Sequence, residues 1–361
     1  MGATADSPRI AINGRFLGQP LTGVQRFARE MVAQLDGLVE ERGGALRLLA
    51  PRGAPLSLPL AHVEAQHCGR LNGHLWEQLE LGWAAGDDLL LGLGFTGPLA
   101  RRRQVVTMMD ARVFVFPGNH SPMFGGWYRA AMPRLAKNSK CVLTISEFSR
   151  SELARYCRVD PDRFRVVFVG SDHLERVSAD DEILRTHGLE PGRYVVAIGS
   201  ASPNKNFGAV ARAFEALDDD RISLAIVGSS DPSVFRGGVL PEGKRIVPLG
   251  VVSDGQLKAL YAHALCLAFP AIYEGFGIPP VEAMRAGCPV VAARSSSIPE
   301  VCGEAVLYCD PMDPATLVEP IRRIRDDVGL ADELRGRGRE RAERFTWRRS
   351  AELLWEAVTG A

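Results

Sequence analysis

Residues 265–293 read "LCLAFPAIYEGFGIPPVEAMRAGCPVVAA". An uninterrupted apolar run, "LCLAFP", opens the stretch and a second, "PVVAA", closes it. Short apolar runs without alternation are the mark of strands buried on both faces. The segment between them can form a helix with Pro279 or Pro280 in its first turn, so the unit reads strand–helix–strand, and such a crossover joins parallel strands. Two carboxylates, Glu274 and Glu282, stand eight positions apart in this unit. A continuous helix would bring them to nearly one face, but Gly275, Gly277, Pro279 and Pro280 forbid it. Glu274 is therefore expected in the loop after a strand and Glu282 near the first turn of the next helix, with Pro279 or Pro280 where a missing N–H costs nothing. Glycines let backbone amides approach a ligand closely. A helix N-terminus favours phosphate, and each carboxylate can accept two hydrogen bonds from a diol.

The same alternation extends through the chain. "RIAIN", "ALRLLAP", "LLLGLG", "QVVTMMD", "CVLTIS" and "RVVFVG" read as strands in the first half, separated by helical patterns such as "GVQRFAREMVAQL" and "EFSRSELARYC". A polar stretch, "DHLERVSADDEILRTHGLEPG", interrupts the pattern. A second series follows: "RYVVAIG", "SLAIVG", "RIVPLG", "LCLAFP", "PVVAA" and "AVLYCD". The expectation is an α/β protein of two doubly wound parallel-sheet domains, residues 1–172 and 191–345, with a hinge at 173–190 and a closing helix at 346–361 packing across the junction. Ligands of such sheets bind at the carboxyl ends of strands, so two facing sheets predict an interdomain cleft.

Composition excludes several classes. The formal net charge is zero over 361 residues, which argues against a nucleic-acid binder resting on phosphate neutralisation. The seven cysteines show no C-x-x-C pair and mostly sit in apolar runs, as buried hydrophobes in a reducing, cytoplasmic compartment do. No apolar run reaches membrane-spanning length, and "MGATADSPRIAIN" lacks a signal pattern.

Other strand ends carry candidate chemistry. Lys205 in "GSASPNKN" follows "RYVVAI" and can neutralise a departing phosphate. Gly23 opens the helix after the first strand and allows close backbone approach. Asp110 ends "QVVTMMD", and Val252 in "PLGVVSD" ends another strand, with Ser253 or Asp254 capping the next helix. Ser146 is expected to cap a helix, with Ser149 three residues on. His74 and His120 are lone histidines, which are more often structural than catalytic.

The stretch Glu274–Ala283 followed by "AGCPVV" resembles the E-x7-E signature of retaining family 4 glycosyltransferases. The blocks "NGRFLGQPLTGVQRFAREM", "GHLWEQLEL", "TGPLARRRQVVTMMDARVFVFP", "LTISEFSRSEL", "AIGSASPNKNFGAVARAF" and "PLGVVSDGQLKALYAHALCLAFP" resemble the same family in its order. The resemblance implies two facing Rossmann-like domains of the GT-B type, the first for the acceptor and the second for a nucleotide-sugar donor. It implies that Glu282 binds the ribose hydroxyls. Glu274 with Gly275, Phe276, Gly277 and Ile278 would hold the transferred sugar and its phosphates. It adds Gly23, Ser200, Lys205 and Val252 to the donor set, with Lys205, Glu274 and Asp110 as the catalytic group. Two positions depart from the family pattern: Met109 stands where a histidine is common, and Ser200 where an arginine is. Leaving-group stabilisation would then rest more heavily on Lys205.

The function implied is retaining transfer of a hexose, GDP-mannose being the first guess for the donor, to a saccharide or lipid-linked saccharide in surface-polysaccharide synthesis. No metal or other cofactor is expected. A lipid-linked acceptor would bring the first domain to the inner membrane face, where Arg101, Arg102 and Arg103 are available to assist. The alternatives are a nucleotide-sugar epimerase on the same scaffold and a non-catalytic sugar-nucleotide-binding partner.

Overall fold

The computed structural model describes residues 8–199, 202–217, 219–228 and 246–360. They form two compact units, one running to Gly170 and resuming at Trp347, the other Ser171–Thr346. The first holds a seven-stranded sheet of β1 (Arg9–Asn13), β2 (Ala45–Ala50), β3 (Glu64–His67), β4 (Leu89–Gly92), β5 (Gln104–Thr107), β6 (Cys141–Thr144) and β7 (Phe164–Val166). Its order is β3-β2-β1-β4-β5-β6-β7 and every pairing is parallel. The second holds β8 (Tyr194–Ile198), β9 (Ser223–Val227), β10 (Ile246–Gly250), β11 (Cys266–Phe269), β12 (Val290–Ala293) and β13 (Leu307–Cys309). They lie in the order β10-β9-β8-β11-β12-β13, again all parallel. The expected fold class, two Rossmann-like doubly wound α/β domains, is the one found.

Every strand expected from an apolar run is present. The additional one, β3, is Glu-Ala-Gln-His at a sheet edge, half-exposed along its length. An edge strand facing water needs no apolar run, which is why the hydrophobic pattern passes over it. The helices follow the apolar spacing. Gly23–Arg42 buries Phe27, Ala28, Met31, Val32, Leu35 and Leu38, a stripe at helical period facing the sheet. Ser146 caps Glu147–Cys157, accepting from the Ser149 amide at 3.0 Å. Ser253 likewise accepts from the Gln256 amide at 3.2 Å. All seven cysteines are free, five of them buried. Burial pushes the Cys157, Cys288, Cys302 and Cys309 thiols up to about 12, so they remain inert small hydrophobes.

The stretch 173–190 belongs to the second unit and carries the 3-10 turn Asp172–Arg176 and the helix Glu182–His187. The closing helix, Trp347–Thr359, sits in the first unit, where it packs on Gly23–Arg42. Its Trp347 is fully buried, and a Cβ on Gly170 would lie 2.4 Å from the Trp347 nitrogen. Only glycine lets the outgoing chain pass the returning one there. On the second unit's side, Ser171 N–H donates to Phe345 O at 3.1 Å, and Arg285 donates to Ser171 Oγ at 2.8 Å and Phe345 O at 3.1 Å. Among the described residues no helix is long and apolar enough to cross a membrane.

Candidate functional site

In an open parallel sheet the crevice for a ligand lies where the strand order reverses. In the second unit that point is between β8 and β11, and the loops that leave these strands carry Lys205 and Glu274. The two loops are sewn together by asparagines. Asn204, 1% exposed, donates to Tyr273 O at 3.0 Å and its carbonyl accepts from the Ile272 amide at 2.8 Å. Asn206, in the left-handed region at φ 58°, donates to Pro270 O at 3.1 Å and Pro311 O at 2.7 Å. Between these ties the Lys205 ammonium meets Glu274 Oε1 at 2.7 Å and lies 5.2 Å from the Phe269 ring centre. Both side chains are mostly buried, so screening by water is weak. Glu274 is fixed through its backbone as well: its amide donates to Ser296 Oγ at 3.0 Å and its carbonyl accepts from Ser297 Oγ at 2.9 Å. An ammonium has three donors, so Lys205 can hold Glu274 and still meet an anion.

The helix after Glu274 is Ile278–Arg285, with prolines in its first turn as expected. Its N-cap, Gly277, has φ 98°, and a Cβ there would lie 2.5 Å from Ile298 Cδ1. Gly277→Ala should therefore cost about 1–3 kcal/mol, read as a lower urea midpoint with an unchanged slope. Glu282 is the fifth residue of this helix, just past its first turn and close to where the sequence places it. It is 5% exposed, accepts from the Tyr261 hydroxyl at 3.2 Å and lies 3.1 Å from His173 Nε2. Burial and the Glu282 charge push the Tyr261 phenol well up, so it stays protonated and donates. The two glutamates are thus anchored separately, one on Lys205 and one on Tyr261 and His173.

In the first unit the strand order reverses between β1 and β4. Here lies a cavity of about 240 Å³, lined by Asn13 at the end of β1, Arg15 just after it, Phe95 after β4, and Asp110 after β5. Two of these lining residues, Asn13 and Arg15, belong to a buried charge cluster. Glu77, fully buried, accepts from Asn13 Nδ2 at 2.8 Å and Thr96 Oγ1 at 2.8 Å, and lies 3.4 Å from the Arg15 Nε and 3.2 Å from His74 Nδ1. Burial pushes the Glu77 carboxyl up, but the His74, Arg15, Thr96 and Asn13 contacts together outweigh it and hold it below its usual range. One wall is an aromatic row: His120 stacks on Phe124 at 5.3 Å and Phe124 on Tyr128 at 4.3 Å. Among the described residues, His120 Nε2 is buried without a hydrogen-bond partner. Burial, together with Arg112 and Arg129, pushes its imidazole down against the pull of Asp110, so it is neutral at pH 7. Asp110 is half-buried and accepts from the Arg112 amide at 2.9 Å.

The structure therefore divides the sequence-derived candidates. Lys205, Val252, Glu274, Gly275, Phe276, Gly277, Ile278 and Glu282 lie in the second unit, Gly23 and Asp110 in the first. Ser200 lies outside the described residues. Val252 is half-buried between the exposed Val251 and Ser253. Phe276 is buried edge-on against Phe345 at 5.3 Å, leaving its side chain structural. Gly23 is the exposed first residue of its helix and does not line the cavity, which its neighbours Val24 and Gln25 do. Sequence reasoning missed Asn204, Asn206, Glu77 and Arg15. The His74–Glu77 spacing of three on a helix was the available signal for part of that cluster.

Comparison with known proteins agrees with this architecture. Residues 180–342 match the model of the family described as Glycosyl transferases group 1. The chain is 30% identical to the O-antigen chain mannosyltransferase B of Escherichia coli, over 91% of this chain and 93% of that protein. It is 27% identical to the O-antigen chain mannosyltransferase RfbU of Salmonella typhimurium, over 62% of this chain and 61% of that one. Among solved structures, HepE of Anabaena in complex with UDP and glucose superposes with a TM-score of 0.75 at 17% identity, covering 98% of this chain and all of that one. WaaG, a glycosyltransferase involved in lipopolysaccharide biosynthesis, superposes at 0.71 with 16% identity, over 98% of this chain and all of that one. With one relative matched nearly end to end, and the family's own model lying on the unit that carries Lys205 and Glu274, this chain is a glycosyltransferase and belongs to the glycosyl transferases group 1 family.

Proposed function

We propose that this transferase moves a hexose, with mannose the first candidate, from a nucleotide-diphosphate donor to a saccharide acceptor with retention of anomeric configuration. The observation that carries the reading is the Lys205–Glu274 pair at 2.7 Å, held rigidly at the strand-order reversal beside the Ile278–Arg285 helix N-terminus. A diphosphate entering there would meet an ammonium and a helix dipole, while the Glu274 carboxylate turns to sugar hydroxyls. Glu282, fixed by Tyr261 and His173, retains lone pairs for the ribose diol. Gly275, Gly277 and Ile278 supply backbone to the phosphates, and Val252 and Gly23 complete the donor surface.

In this reading the acceptor saccharide enters the first unit's cavity. The aromatic row would pack against a pyranose face, and Asp110 and His120 would take its hydroxyls. Attack comes on the donor face that the diphosphate leaves, with a phosphate oxygen receiving the acceptor proton. The protein's main work is then to stabilise charge on the departing diphosphate, for which Lys205 and the helix end suffice without a metal. Mannosyltransferases of O-antigen synthesis among the relatives favour mannose, while the UDP in HepE keeps uridine donors in the test.

The test is a thermal-shift panel of GDP-, UDP- and dTDP-sugars, since a ligand that binds the native state alone raises its melting temperature. The stabilising donor is then assayed with a saccharide acceptor, and the product's anomeric configuration is read by NMR. A stabilising donor, a retained configuration and turnover unaffected by EDTA are expected. An inverted product would sink the mechanism; epimerised donor without acceptor would favour an epimerase, and binding without turnover a non-catalytic partner.

A further inference from the structure

The helical stretch Gly73–Leu79 and Leu81–Ala84 buries Trp76, Glu77 and Leu81 completely. The face it turns to water is also apolar: Leu75 is 64% exposed, Leu79 66% and Trp83 88%. These three recur every fourth residue, so they form one stripe, and Leu71, four residues earlier, is exposed too. Single exposed apolar residues are ordinary, but an aligned row ending in tryptophan marks a contact surface.

What it would contact is indicated by charge. Leu79 and Trp83 line one concavity with Arg101, Arg102 and Arg103. Arg101 donates to Gly82 O at 2.8 Å and Gly86 O at 2.9 Å, which ties the arginine loop to the stripe, while Arg102 and Arg103 remain exposed. Of the nearby carboxylates, Asp88 is bound by Arg9 and Arg47, and Glu80 accepts from the Arg70 and Leu71 amides. Among the described residues, Asp87 alone of the acids lines the concavity, against three guanidiniums. Leucines and an interfacial tryptophan beside a cluster of arginines are the chemistry of an anionic bilayer surface.

We propose that this face docks on an anionic lipid membrane, the stripe entering the boundary between headgroups and acyl chains and the arginines meeting lipid phosphates. The inference does not depend on the donor or the stereochemistry proposed above, and its test needs neither. The protein is floated on a density gradient with vesicles of phosphatidylethanolamine and phosphatidylglycerol, or of phosphatidylcholine alone. Flotation with the anionic vesicles, weakened by salt, is expected. Arg102→Glu with Arg103→Glu should weaken partitioning about 25-fold or more. Leu75→Ser, Leu79→Ser and Trp83→Ser combined should weaken it on the order of 100-fold, with the melting temperature unchanged because these side chains are exposed. A blue shift of tryptophan emission on adding vesicles should vanish in Trp83→Phe. The proposal fails if the protein floats with neither vesicle, or if the triple variant floats as the parent does. It fails equally if the triple substitution instead converts a dimer to a monomer, since a second copy would then be the occupant.

Discussion

Lys205→Ala should lower turnover by about 10²–10³, equivalent to roughly 3–4 kcal/mol of transition-state stabilisation. On the proposed role, negative charge on the diphosphate grows as the glycosidic bond breaks, and the ammonium opposes that charge most when it is largest. kcat and kcat/KM should therefore fall together, because the lost interaction belongs to the transition state. The substitution also leaves the mostly buried Glu274 without its cation, at a cost of about 1–3 kcal/mol in stability. The ties through Asn204 and Asn206 to the neighbouring loop survive, so the fold should too. Steady-state kinetics beside a thermal melt separate the two effects. A near-normal turnover number in a folded variant removes Lys205 from the chemistry.

Glu77→Ala should be strongly destabilising, costing about 3–5 kcal/mol. It strands the Arg15 guanidinium, whose side chain is only 11% exposed, and leaves Asn13 and Thr96 without their shared acceptor. Glu77→Gln keeps the shape and reports the charge by itself. The Glu77 carboxyl lies below its ordinary value of 4.5 in the folded state. Its charge thus contributes stability that is fully present above about that pH and is lost as pH falls through the lower, folded value. Urea titrations from pH 7 down to pH 3 should show the parent's advantage over Glu77→Gln shrinking below pH 4.5. An advantage independent of pH would mean that packing, not charge, is what the cluster supplies.

The two clusters differ in how they were written in the chain. Lys205 and Glu274 stood out because each lies in the loop leaving a strand of a doubly wound sheet, and the carboxyl ends of such strands face the ligand. Glu77 did not, since its helix lies between strands and its one local sign of pairing is His74 three residues before it. Its partners Asn13 and Thr96 are 64 and 19 residues away. His74 reads as solitary in the sequence, although it lies against both Glu77, three residues on, and Arg15, 59 residues away. The edge strand β3 escaped notice because, half in water, it needs no apolar residues. Glu282 lies near the first turn, as the prolines imply, but its partners Tyr261 and His173 come from other elements and left no sign beside it in the chain.

By itself, the sequence determined the number of domains, the parallel α/β class, nearly every strand and the loops that carry Lys205 and Glu274. Those features rest on apolar periodicity and on glycine and proline, which act within a few residues along the chain. The tertiary structure alone decided that Asn204 grips the Tyr273 loop, that Glu77 is surrounded by donors, and that Leu75, Leu79 and Trp83 face outward in line. Each of these depends on which strands become neighbours and which helix face is left uncovered, a choice made by the burial of the whole core rather than by any segment within it.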